Sequence, residues 1–481
     1  MAKRASLKAN FGYNLIYNIL NIVVPLITAP YTSRVLGAAN IGIYSYTYSI
    51  ISSVIMFSSL GAATYGQKEI ASIRSNETER TCVFWEIFCL KAVTTTIAIL
   101  IFFPIAYSSA QFEYFLLQSP FLIAAIFDIG WFFQGMEQFK YIAIRNIMVR
   151  IASVVLLLLL VKNQNDLWIY LLIISLSQLG GNWSMWTYLK KNVKSFKFRS
   201  DHIKEHLSGL MVYFIPTIAY QIYSVLDKTM LGILVGSDYE NGYYEQAYKI
   251  INMIVTVITA YTVVMRSRMS FLFANKEFGE IKNKIRKSSD IIAFLSFPMT
   301  FGLAAVAEGM VPWFFGDGYD RVVSLLYAFC PIFICMGYSH LIGTHLLTPS
   351  GRQMKSNIAQ IAAAVFNIIL NAILIPKLYS IGAAIASVTS EIVIMIIYFC
   401  MVGNEFRPLD ALKTAWKKLI SAVVMFVTVS VIEERLTISI WSSMIEVGVG
   451  VVVYVLTLLV LHDSFITTEL KEMSNKFLRR A

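Results

Sequence analysis

A chain of 481 residues that is 57% hydrophobic and only 14% charged is unlike a soluble domain, in which charged residues alone reach about 25%. The composition excludes a soluble globular fold and places the chain in a membrane. Its formal net charge of +11 fits basic loops lying against anionic lipid, so no nucleic-acid partner is expected.

Taken in chain order, apolar runs of about 20 residues, the length that lets a helix cross hydrocarbon, recur about fourteen times. They cover residues 11–36, 41–66, 82–106, 112–135, 141–161, 167–189 and 207–235, then 242–265, 291–315, 322–347, 358–375, 381–401, 416–431 and 438–461. An open sheet would leave backbone groups unsatisfied in lipid, so the expected fold is all-α and polytopic. The first run is too long and too polar for a signal peptide and reads as a retained span. Within it Asn10, Asn14, Asn18, Asn21, Thr28 and Thr32 fall within an arc of about 40 to 80° on one helix face. The seventh run repeats the pattern with Tyr213, Thr217, Tyr220, Gln221, Ser224, Asp227 and Lys228, within an arc of about 120°. Two polar faces of this kind imply an internal hydrophilic path.

Other features point to packing rather than chemistry. Cys82, Cys89, Cys330, Cys335 and Cys400 lie in or beside spans with no C-x-x-C pair, which suits apolar packing better than a disulfide or a metal. His202 and His206 are four apart, but no third ligand lies near them in sequence, so a solvated interfacial helix is expected there. No phosphate-binding G-x-x-x-x-G-K-[ST] loop is present, which excludes an ATP-hydrolysing domain in this chain. No metal and no cofactor is expected.

Charge asymmetry sets the threading. The loops on one side hold only Lys162, Arg321, Lys377 and Arg435. The other side collects Lys3, Arg4 and Lys8, then Lys68, Arg74 and Arg80, then the basic stretches at 190–204, 266–287, 352–355, 407–418 and 471–480. An even number of spans with both termini in the cytoplasm produces that asymmetry. An internal repeat accompanies it: Gly37, Gly42, Tyr44, Tyr48 and Ile50 recur as Gly236, Gly242, Tyr244, Tyr248 and Ile250. Lys140 and Lys162 bracket the fifth span as Lys355 and Lys377 bracket the eleventh. Residues 1–200 therefore read as one six-span lobe and 201–405 as a second. Residues 406–481 add two further spans and a cytoplasmic tail. Six spans per copy keep the copies in the same orientation, so a pseudo-two-fold along the membrane normal is expected, with a cleft between the lobes.

The run Pro30-Tyr-Thr-Ser-Arg34-Val-Leu-Gly37, followed by Gly42-Ile-Tyr-Ser-Tyr and by Asp227-Lys228 with Gly232, Gly236, Gly242, Tyr244, Ala247, Tyr248 and Lys249, resembles the Wzx-type polysaccharide flippases. These belong to the multidrug, oligosaccharidyl-lipid and polysaccharide exporter superfamily. The resemblance implies movement of an undecaprenyl-pyrophosphate-linked oligosaccharide from the inner to the outer leaflet of the bacterial cytoplasmic membrane. It further implies alternating access without covalent chemistry, and a polysaccharide polymerase and chain-length machinery as candidate partners.

The residues suit such a cargo. Arg34, Arg150, Lys228 and Lys249 are intramembrane cations that can meet a pyrophosphate. Each can instead form an ion pair, with Asp227 or Glu245 for the two lysines and Asp128 for Arg150. Asn14, Asn18, Asn21, Tyr220 and Gln221 are candidate sugar contacts, or alternatively interhelical hydrogen bonds. Asp128, Asp227, Glu245, Glu308 and Glu391 are candidates for ion coupling, or are protonated or paired. Gln178, Asn182, Gln360, Asn367 and Asn371 read as packing. Three alternatives stay open: a peptidoglycan-precursor flippase, a cation-coupled multidrug exporter, and an intramembrane glycosyl- or acyltransferase. The last would need a carboxylate pair or a histidine near an outer loop.

Overall fold

A computed structural model describes residues 7–468, without the side chains of 7–18, 21, 200, 215–224, 404 and 414. The described residues form helices and no strands, as backbone satisfaction in lipid requires. All fourteen expected spans fall on helical segments. Eleven helical segments among the described residues are long and apolar enough to cross a membrane. The first of these, Ile22–Ser72, contains most of two expected spans.

Helix α1 (Leu7–Ser59) is 53 residues long, which at 1.5 Å per residue would reach about 80 Å if straight. It bends instead at Gly37, whose φ of 77° and ψ of 167° are the only non-helical pair inside it. Pro25 and Pro30 lie within helical backbone, so the interruption comes from the residue that tolerates positive φ and not from the prolines. Helices α2 (Ala62–Ser72) and α3 (Glu77–Tyr107) follow. The start of α3 is capped by the Asn76 side chain, which accepts from Glu79 N at 3.2 Å, and carries Glu77 and Glu79 in its positive first turn.

The fourth span is three short helices, α4 (Phe112–Gln118), α5 (Pro120–Phe127) and α6 (Gly130–Gly135). Breaking a helix frees carbonyls that must find other donors. Here Asn182 Nδ2 donates to Ala124 O at 2.7 Å, Trp186 Nε1 to Phe127 O at 3.0 Å and Lys91 Nζ to Asp128 O at 2.7 Å. Asn182 and Trp186 lie on α8 (Leu167–Leu189), which is preceded by α7 (Phe139–Leu160). The expected packing role of Asn182 is thus a specific one, the repair of a broken span.

After α9 (Ile203–Val235) and α10 (Asp238–Ala274) come α11 (Phe278–Phe315), α12 (Asp320–Phe329) and α13 (Ile332–Ile342). A π-helical turn at Gly343–Leu347 closes the tenth span, and α14 (Gln353–Leu378), α15 (Ser380–Val402), α16 (Pro408–Glu433) and α17 (Ile440–Val460) follow. The chain divides into two units, Met1–Glu245 and Gln246–Ala481. The division falls inside α10, so α9, which the repeat groups with the second copy, packs within the first unit.

Each unit has its own core. In the first, Phe84, Trp131, Phe132, Phe133 and Met185 form a buried cluster in which Phe84 stacks on Trp131 with ring centroids 5.6 Å apart. In the second, α16 and α17 pack on α11 through Ala293, Phe297, Ala422, Met425, Tyr454 and Leu458. Lys418, 1% exposed, sits between Asp290 Oδ1 at 2.9 Å and Asp463 Oδ2 at 3.1 Å. Outward faces are apolar, as lipid contact requires: Leu100, Ile105 and Val460 are two-thirds or more exposed. All five cysteines are free and three of them are buried.

Candidate functional site

The segments that follow the two striped runs meet inside the first unit. Gly42 on α1 and Gly242 on α10 approach so closely that a Cβ on Gly42 would stand 1.7 Å from Asp238 O, and one on Gly242 would stand 1.9 Å from Ala38 O. Only hydrogen fits at either position. The same approach brings Ser45 to Glu245 and Ser49 to Thr229. Ser45 Oγ donates to Glu245 Oε2 at 3.1 Å, and Ser49 Oγ lies 2.8 Å from Thr229 Oγ1.

Lys228 is the cation of this cluster. Its Nζ contacts Glu245 Oε2 at 2.5 Å, with side-chain exposures of 14% and 9%. Beside it, buried Asp227 accepts from Tyr244 OH at 2.8 Å through Oδ2. The structure therefore brings together Lys228, Asp227 and Glu245 from the expected site and realises the lysine's alternative as an ion pair with Glu245. Tyr44 adds an aromatic wall, stacked on Tyr48 at 5.5 Å and edge-on to Tyr170 at 5.3 Å. A charge pair so little exposed is held by its own geometry and by the Ser45 hydroxyl.

The other expected residues distribute as follows. Arg34 is exposed on α1, and Lys249 is half-buried on α10. Arg150, half-buried on α7, donates through Nη1 to Leu20 O at 3.4 Å. Glu308 is exposed on α11 and accepts from Tyr327 OH at 2.9 Å, whereas Glu391 is buried on α15. The side chains of Asn14, Asn18, Asn21, Tyr220 and Gln221 lie outside the described residues. Asp128 belongs to a second polar group at the break between α5 and α6, where its Oδ1 accepts from Gly130 N at 3.0 Å. A cavity of about 290 Å³ opens there, lined by Asp128, Trp131, Gln134, Arg145 and Asn146. Arg145 reaches Asn182 Oδ1 at 2.7 Å and Asn146 Oδ1 at 2.6 Å. The buried Trp131 Nε1 has no hydrogen-bond partner among the described residues.

A third polar group was not anticipated. Glu86, fully buried on α3, binds Arg199 Nε at 2.9 Å and His206 Nε2 at 2.8 Å. His206 Nδ1 in turn lies 2.8 Å from Tyr65 OH, and Arg199 Nη2 reaches Glu79 Oε1 at 2.9 Å. The hydrogen bonds to Glu79 and Glu86 hold the guanidinium of Arg199 above its ordinary pKa. The expectation of a solvated helix around both histidines is corrected here. His202 is partly exposed and bonds Glu205 Oε2 at 2.9 Å, but His206 is 6% exposed. It turns inward because Glu86 needs a second donor. An acid inside the apolar run 82–106 was the available signal. No group of three or more His, Cys, Asp or Glu that could hold a metal ion occurs among the described residues.

Comparisons with known proteins bear on the family and the fold. A sequence model of the family described as "Polysaccharide biosynthesis protein" matches residues 7–273. A protein of Escherichia coli (strain K12) whose name describes it as an O-antigen transporter is 24% identical over 409 residues, covering 84% of this chain and 98% of its own length. Among solved structures, the lipid II flippase MurJ in an inward closed conformation superposes with a TM-score of 0.76 at 16% identity, over 95% of this chain and all of its own. An inward-facing multidrug resistance MATE family transporter of the MOP superfamily gives 0.61 at 14% identity, over 81% and 96%. With the family match spanning more than half of its length, the chain belongs to the polysaccharide biosynthesis protein family, on the all-helical membrane fold of the MurJ and MATE transporters.

Proposed function

We propose that the protein is a flippase for an oligosaccharide linked to an undecaprenyl pyrophosphate, carrying it from the inner to the outer leaflet of the bacterial cytoplasmic membrane for surface polysaccharide assembly. Family membership and the names of its relatives support this reading. The observation that carries it is Lys228, an ammonium 14% exposed inside an apolar chain, whose Nζ meets Glu245 Oε2 at 2.5 Å. A pyrophosphate offers that ammonium more negative charge and more acceptor oxygens than Glu245 does. Arrival of the cargo would exchange one partner for another, while the hydroxyls of Ser45 and Tyr244 stay in place. Arg34, Arg150 and Lys249 are proposed as further phosphate contacts, and Asn14, Asn18, Asn21, Tyr220 and Gln221 as sugar contacts. Glu245 would return to the lysine after release, with Asp227 beside it, and so supply the resetting step of an alternating-access cycle. Both termini are proposed to be cytoplasmic, and the two lobes 1–200 and 201–405 to be the moving parts.

Reconstitution tests the proposal. Proteoliposomes loaded with a fluorescent undecaprenyl-pyrophosphate oligosaccharide should expose it to an added impermeant glycosidase faster than protein-free vesicles. Equal rates would sink the proposal. A parallel run with the peptidoglycan lipid precursor separates the two lipid diphosphates.

A further inference from the structure

At the ends of α11, α16 and α17 remote from the Lys413, Lys417 and Lys418 end of α16, a cavity of about 340 Å³ is walled by four carboxylates: Glu308, Glu433, Glu434 and Glu446. Serine and threonine hydroxyls supply the rest of its polar lining, and no lysine, arginine or histidine lines it. Two of the acids have donors. Gly309 N donates to Glu433 Oε1 at 2.6 Å, and Tyr327 OH donates to Glu308 Oε1 at 2.9 Å. Glu446 is different: it is 2% exposed, and its Oε2 has no hydrogen-bond partner among the described residues. A buried carboxylate with an empty acceptor, lining one cavity with three further acids, is a place for a cation.

The kind of cation follows from the wall. No three of these groups are placed to hold a metal ion, which disfavours a compact ion needing several oxygens at one point. The acceptors line a cavity of about 340 Å³, which has room for an organic ammonium with several N–H donors. Ser443 is positioned for such a donor. Its Oγ already accepts from Trp313 Nε1 at 2.8 Å, which fixes the hydroxyl and leaves its second lone pair available. The geometry points to a binding site for a primary ammonium group, contributed either by a soluble diamine or by an ethanolamine lipid head group. The site lies wholly within the second unit and is independent of the Lys228 cluster.

Thermal unfolding of the purified full-length protein tests it in two arms. One arm titrates putrescine into protein in detergent free of ethanolamine lipid. The other compares nanodiscs of phosphatidylethanolamine and phosphatidylglycerol with nanodiscs of phosphatidylglycerol alone. A higher unfolding midpoint in either arm supports the site, and the arm that responds names the source. The Glu446→Gln and Glu308→Gln variants should each weaken the apparent affinity, the first by about tenfold or more, since each removes a charged acceptor. Glu308 is exposed, so its variant reads the site even where Glu446→Gln folds poorly. No rise in either arm, an equal rise with sodium chloride at matched ionic strength, or full response in both variants would overturn the assignment.

Discussion

Gly42 and Gly242, equivalent positions of the internal repeat, touch each other's helices backbone to backbone: each would drive a Cβ to within 2 Å of a carbonyl oxygen contributed by the other's segment. This contact sets the separation at which Ser45 meets Glu245 and Ser49 meets Thr229. The repeat glycines are therefore a matched pair of close approaches, and their partners Gly37 and Gly236 are the matching positive-φ turns.

Replacing either glycine of that pair should be costly. Gly42→Ala or Gly242→Ala forces backbone to move, beyond ordinary overpacking, and should destabilise by about 3 kcal/mol or more. Gly180→Ala, with nothing within 4 Å of the added carbon, should be neutral or stabilising by about 1 kcal/mol. Unfolding midpoints of the three variants check the contrast, and a Gly42→Ala protein as stable as the parent would remove the contact from the account.

The Glu86 group predicts a different pattern. Arg199→Gln leaves the buried carboxylate with His206 alone and should cost about 1–3 kcal/mol. The cost is moderated because the Arg199 side chain is 35% exposed. Glu86→Gln strips the anion from both donors. A double-mutant cycle on Glu86 and Arg199, read by denaturation in detergent, should give a coupling energy above about 0.5 kcal/mol. Additive effects would mean that the ion pair contributes nothing.

Lys418 holds the two C-terminal helices to α11 through Asp290 and Asp463. Lys418→Met leaves two carboxylates facing each other without their cation, at a cost of about 3–5 kcal/mol. Proteolysis should then cut near residues 403–407 or 461–463, at the Lys418 end of the two helices, sooner than in the parent. Unchanged resistance would show that apolar packing of α16 and α17 suffices.

The helical, membrane-spanning fold was legible because lipid leaves a chain few options: apolar length and basic loops specify spans directly. The breaks were less legible. The fourth span reads as continuous from 112 to 135, yet it divides at Asp128 because Lys91, Asn182 and Trp186, far away in sequence, accept the cost of its freed carbonyls. Lys228, Asp227 and Glu245 could be singled out as intramembrane charges, and Glu245 was already one of two acids named as a partner for Lys228. The role of Glu86 was hidden because its donors, Arg199 and His206, lie more than 100 residues away. His206 looked like a loop histidine for the same reason: periodicity reports a residue's own helix, not what packs against it.

Lys228 is proposed to serve the cargo and not only Glu245. The most direct test is flipping of lipid-linked oligosaccharide in proteoliposomes by Lys228→Ala, Glu245→Gln and the double variant, at matched reconstitution. A purely structural pair predicts that the double variant, which removes both partners, recovers the rate lost by Lys228→Ala. A contact to the cargo predicts that Lys228→Ala and the double variant are both slowed about tenfold or more, through loss of a charge-assisted contact to phosphate, while Lys228→Arg retains most of the rate. Recovery in the double variant, or an unslowed Lys228→Ala, would contradict it.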